Sequence, residues 1–186
     1  IRASERRFYQ KITDLYSVAS IDYDSHSEVS RLFFAKVQNK LLFGTSSKTA
    51  AEIIKDRANH QEKNMGLTTW KTAPDGKIAK SDVTVSKNYL SESELKKLNR
   101  IVSMYLDYAE SQAEKNVAMT MTDWASKLDA FLEFNEMELL YDSGKVSKSI
   151  ADKLAISEYE KYRVIQDREF ESDFDKQLKK ALENNG

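Results

Sequence analysis

The chain has 186 residues, 40% of them hydrophobic, and 29 basic residues set against 30 acidic ones leave a formal charge of −1. That length sustains one domain with its own core, and the neutral balance excludes a whole-domain attraction for DNA, RNA or anionic lipid. The absence of cysteine excludes disulfides, thiolate chemistry and cysteine-ligated zinc.

No uninterrupted apolar run is long enough to span a bilayer, so no membrane partner is expected. Ile1 stands inside an amphipathic pattern, as expected of a piece cut from a longer protein. Ala3 to about Ala19 reads as a helix with Phe8, Ile12, Leu15 and Tyr16 on one side. Residues 21–26 are turn-like, with Asp24 or Ser25 suited to cap the next helix. Glu28–Phe43 carries Leu32, Phe33, Val37, Leu41 and Leu42 at helical spacing, and Gly44 is expected to stop it. A shorter helix begins near Ser47, with Ala50, Ile53 and Ile54 in its middle.

Residues 64–90 break the helical period. LTTWKT, APDGK and IAKSDVTVSKNYL read as strand, turn and strand, with Asp75-Gly76 as the hairpin signal and Val83 alternating with Val85. A two-stranded β-hairpin is therefore expected at about 66–87, laid on the helices. Between Glu62 and Leu90, five lysines oppose three acids, a net charge of +2, with Trp70 and Tyr89 among them. Lysines interleaved with aromatics can follow a phosphate backbone, although the same lysines protect an exposed edge and +2 is a weak field.

Residues 91–141 are expected to form the centre. Ser91 followed by Glu94 is a capping box. Leu95, Leu98, Val102, Tyr105, Leu106 and Ala109 lie on one face, and Trp124, Leu128, Phe131, Leu132 and Leu139 on that of the next helix. Two such helices on a short link should pack antiparallel. After a turn at 141–147, apolar spacing from Ile150 to Leu182 suggests one or two more helices. The fold class expected is mostly α: a single-domain helical bundle over 1–186 with one small hairpin arm at 64–90.

Chemistry-bearing motifs are sparse. His26 and His60 sit near helix boundaries and lack the i,i+4 partner of a zinc helix, so no metal is assigned. Asp167, Glu171 and Asp175 share a helix row, but Arg163, Arg168 and Lys179 are placed to neutralise it, which favours a solvated face. Phosphate-loop, dinucleotide and nucleophile-elbow motifs are absent, so no cofactor is assigned. If the chain were an enzyme acting on nucleic acid or nucleotide, its polar cluster would be Glu52, Trp70, Lys71, Lys80, Asp82 and Asn88, beside the hairpin. The motifs point to a binding role ahead of catalysis.

The segments IRASERRFYQKITDLY, FFAKVQNKL, NMGLTTWK, KSDVTVSKNYL, LNRIVSMYLDYAE, MTDWASKLDAFLEFN and EYEKYRVIQDREFESDFD occur in that order. By them the chain resembles, almost end to end, the C-terminal part of the RhuM-type virulence proteins of bacteria. The resemblance implies a bacterial, cytoplasmic protein, often encoded in pathogenicity islands or beside restriction–modification genes. It also implies a separate N-terminal module of helix-turn-helix type, through which alone DNA would be bound. The family has no established catalytic residues to carry over, and the His–Asp-Gly-Asn–Arg motif of Fic/Doc toxins is absent. The role expected on this footing is an interaction or effector domain that associates with itself or with another protein.

Overall fold

Helix starts in this chain are written by short polar side chains that accept the otherwise orphaned first backbone N–H groups. The computed structural model describes residues 3–24, 26–170 and 173–183. Its α-helices are α1 (Ala3–Ala19), α2 (Glu28–Ser46), α3 (Ala50–Arg57), α4 (Glu92–Ala113), α5 (Met121–Phe134), α6 (Lys148–Glu169) and α7 (Asp173–Glu183). Ser27 caps α2 and Ser147 caps α6. Thr49, Ser91 and Thr120 close full capping boxes with Glu52, Glu94 and Asp123 at the starts of α3, α4 and α5.

The core forms where α1, α2, α4 and α5 meet. Tyr16, Tyr105 and Trp124 are fully buried there. The Tyr16 and Trp124 rings lie 4.8 Å apart, and the two tyrosine hydroxyls hydrogen-bond at 2.7 Å. Burial raises the pKa of both hydroxyls far above the ordinary tyrosine value, so they stay neutral. The central pair does touch: the Tyr105 and Tyr108 rings stand 5.4 and 5.3 Å from Phe131. Its expected dominance is shared, however, because the closest backbone neighbours of α4 are α1 and α2, while α3 packs on α6. Removing each such large apolar side chain from water stabilises the fold by about 1.5–3 kcal/mol.

The expected hairpin at about 66–87 is not formed. No strand occurs among the described residues, and the one β-type pairing is an isolated parallel bridge between Ser20 and Met119. The reason is where the backbone hydrogen bonds go. The Ile78 N–H donates to Gln166 Oε1 at 2.7 Å, and the Ile78 carbonyl accepts from Gln166 Nε2 at 3.1 Å. This side-chain amide on α6 occupies the two groups a paired strand would have used. The Asp82 carboxylate accepts the N–H groups of Ala79 and Lys71, and the Gly76 N–H donates to Thr72. Two 3-10 turns, Lys63–Gly66 and Ser86–Tyr89, flank the stretch.

Three helix ends also depart from expectation, the first being the start of α2, which Ser27 caps in place of Asp24, while Ser25 lies outside the described residues. Gly44 lies inside α2, which runs on to Ser46 and ends at Ser47 with φ 54°. A Cβ on Gly44 would sit 3.2 Å from Met137 Cβ, so this glycine serves close packing. The second central helix stops at Phe134, short of Tyr141. There Glu136 adopts φ 55°, its N–H donates to Glu133, and the Met137 N–H donates to Leu132. That is a Schellman closure with glutamate where glycine is usual, so the familiar stop signal is absent.

Candidate functional site

The 63–90 excursion turns Met65, Leu67, Ile78, Val83, Tyr89 and Leu90 into the core. The Tyr89 hydroxyl donates to the Val83 carbonyl at 2.8 Å. Asp82 and Asn88 are buried polar residues satisfied by backbone groups. Asn88 Nδ2 donates to the Asp82 carbonyl at 2.8 Å, and the Asn88 carbonyl accepts from the Thr68 N–H at 2.7 Å. Lys71 joins this pair through its backbone N–H alone, 3.1 Å from Asp82 Oδ1.

The other three candidates lie apart from that network. The Trp70 indole donates to the Gly76 carbonyl at 2.6 Å, and its ring lines a cleft of 150 Å³ shared with Tyr162, Gln166 and Phe170. Lys80 reaches Glu160 on α6 at 3.9 Å. Glu52 belongs to another region: its oxygens accept the N–H groups of Thr49 and Lys145, each at 2.8 Å, in a cavity of 540 Å³. Burial pushes the Glu52 carboxyl up, but those donors outweigh it and hold it below its ordinary value.

Four further side chains anchor the excursion and its entrance. Arg57 forms two hydrogen bonds with Glu94, at 2.7 and 2.6 Å, and also donates to the Tyr89 carbonyl at 2.7 Å. Paired with Arg57 and capping Ser91, the Glu94 carboxyl is held at about 2. Glu158 accepts the His60 backbone N–H at 2.9 Å and meets His60 Nδ1 at 2.5 Å. That backbone donor, with the Lys161 ammonium, likewise holds Glu158 at about 2. The Ser91–Glu94 box is visible in the sequence, but nothing there marks Arg57, Glu158 or Gln166 as distant counterparts of the excursion.

Two of the excursion's lysines, Lys77 and Lys80, turn toward acids of α6. Lys77 pairs with Asp167 at 2.8 Å and stands 4.8 Å over the Phe170 ring. Asp167 is thus matched from across the fold, and its carboxyl is lowered by that ammonium. No group of three or more metal-ligating side chains occurs among the described residues, and Glu171 of the acidic row lies outside them.

Among the described residues, apolar side chains stand exposed between α4 and α5 and along α7. A groove of 600 Å³ between α4 and α5 is lined by Met104, Tyr108, Ala130, Phe131, Phe134 and Asn135, with Asp107 at its edge. Phe134 there is 87% exposed. On α7, Phe174, Leu178 and Leu182 are 71%, 49% and 67% exposed at i, i+4 and i+8, one stripe along the helix.

Helices packed around one aromatic core, with Asp82 and Asn88 engaged in holding backbone, define an all-α domain among the described residues. No helix among the described residues is long and apolar enough to cross a membrane. The chain belongs to the Virulence protein RhuM family, which it matches over residues 1–171. Neither the comparison with curated proteins nor that with solved structures gives a match.

Proposed function

We propose that the chain is an interaction domain of a virulence-associated protein, acting through self-association or contact with another protein. The observation that carries this reading is the α7 stripe: Phe174, Leu178 and Leu182 lie on one face, each about half exposed or more. A soluble helix gains its stability by covering such a face, so an uncovered one marks a docking surface. The polar residues around 63–90 support the same reading, because Asp82, Asn88 and Gln166 give their hydrogen bonds to backbone. DNA contact belongs, in this reading, to a separate module.

Light scattering of the 186-residue chain, combined with affinity capture from a bacterial lysate, tests the proposal. A defined oligomer or a stably bound protein is the expected result. A strict monomer that captures nothing would remove it.

A further inference from the structure

The cleft beside Trp70 is lined by three aromatic rings, one from the excursion and two, Tyr162 and Phe170, from α6 and its C-cap. Tyr162, Gln166 and Phe170 fall at i, i+4 and i+8, so one face of α6 presents both rings with the amide between them. Trp70 and Tyr162 are half-buried and Phe170 is 38% exposed, so solvent reaches rings that the fold holds in place. The volume of 150 Å³ admits a group about as large as benzene.

Two observations give the missing occupant its charge. Phe170 already takes a cation, since Lys77 Nζ stands 4.8 Å over its ring, within reach of a cation–π contact. Lys77 is itself matched by Asp167 at 2.8 Å, which leaves Glu169 as the unmatched charge among the described residues that line the cleft. Burial and, after it, the negative charge of Glu169 raise the pKa of the Tyr162 hydroxyl, so that charge is felt at the rings.

Hydrogen bonding decides the kind of cation. The Trp70 indole N–H is spent on the Gly76 carbonyl, and both ends of the Gln166 amide are spent on Ile78. A primary ammonium set among the ring faces would give up hydrogen bonds to water that these groups cannot return. A fully alkylated ammonium has no N–H to lose, and aromatic faces attract its charge.

We propose that the cleft of Trp70, Tyr162 and Phe170 binds the quaternary ammonium head of an organic cation, with Glu169 as its counter-charge. Lys77 holds part of the same ground and competes with that head for the Phe170 ring. The site stands apart from the interaction reading: it uses no residue of the α7 stripe, and its test leaves that reading untouched.

Trp70 reports on the cleft, because the other tryptophan, Trp124, is fully buried in the core. Tetramethylammonium and choline chlorides are titrated into the 186-residue chain at constant ionic strength while tryptophan fluorescence is read. A saturable change is expected with both, and binding at least tenfold weaker with methylammonium and with the neutral alcohol in which carbon replaces choline's nitrogen. Phe170→Leu and Glu169→Gln should each weaken choline binding at least threefold. Lys77→Ala, which clears the Phe170 ring, should tighten it at least twofold, a gain that a misfolded variant would not show. A trimethyllysine peptide, run as a separate arm, names the source of the head group. Tighter binding than choline assigns it to a polypeptide and weaker binding to a free small cation, and either supports the site. No saturable change in the wild-type chain, an equal response to methylammonium or the neutral alcohol, or an affinity unmoved by both Phe170→Leu and Lys77→Ala would each overturn it.

Discussion

Two adjacent stretches of this chain are ordered by opposite means. From Glu92 to Phe134, the backbone satisfies itself within helices, and the side chains are left to pack: Leu98, Ile101, Tyr105, Trp124, Leu128 and Leu132 all turn inward. From Lys63 to Leu90, the backbone has few regular partners, and polar side chains are recruited to satisfy it. Gln166 serves Ile78, Asp82 serves Lys71 and Ala79, and the Thr68 hydroxyl serves Leu90. The first stretch should therefore be sensitive to lost volume, and the second to lost hydrogen-bond acceptors.

The largest expected effect is in the packed stretch. Trp124→Ala empties a fully buried site against Tyr16 and should cost about 3–5 kcal/mol in urea unfolding, with the whole transition shifting together. Asp82→Ala tests the other stretch by leaving two backbone donors without their acceptor. Both donor residues are exposed and can turn to water, so the loss should be about 1 kcal/mol. It should also be local: amide hydrogen exchange should accelerate across 68–90 and remain unchanged in the middle of α4. Equal acceleration in both places would erase the distinction drawn between them.

The same distinction explains what could be read from the sequence. Apolar residues at steps of three and four, bounded by Ser91 with Glu94 or by Ser147, describe a helix through neighbours in the chain. The limits of α1 and the bulk of α2, α4 and α6 followed from that. The 63–90 stretch takes its shape from Gln166, 88 residues away, and from a cooperation of Asp82 with Asn88 that no local period records. Asp75-Gly76 and the Val83/Val85 alternation are real turn and strand preferences, overridden when α6 supplies a better partner for Ile78. The end of α5 was illegible for a different reason: its Schellman closure uses Glu136, a residue that carries no turn signal. Of the six candidate residues, Asp82, Asn88 and the backbone of Lys71 were brought together, while Glu52 stands at the start of another helix.

Acid offers a third way to sharpen the comparison, because two carboxylates tie the entrance of the excursion to its surroundings. Glu94 holds Arg57, and Glu158 holds His60; each is kept at about 2 against an ordinary 4.5. A carboxyl lowered by folding contributes stability that is complete above about pH 5 and is lost as pH falls through the folded value near 2. Screened by solvent, each contributes about 1 kcal/mol. The urea midpoint should accordingly fall between pH 5 and pH 2, and a Glu94→Gln, Glu158→Gln double variant should show a flatter decline over that range. An unchanged slope would mean that these carboxylates carry no share of the acid sensitivity.

The smallest effect expected is at Lys77, and its smallness is the point. Lys77 and Asp167 are both about half exposed, where an ion pair gains little over water and is further weakened by salt. One residue along on each element, Ile78 and Gln166 exchange two hydrogen bonds at a part-buried position. If the excursion is held by polar side chains that replace a strand partner, Lys77→Ala should leave both the urea midpoint and the exchange rate of the Ile78 amide unchanged. Gln166→Ala should accelerate that amide strongly. Should Lys77→Ala release Ile78 as far as Gln166→Ala does, the stretch would be fastened by charge, and its contrast with the helices would lie in electrostatics instead of backbone satisfaction.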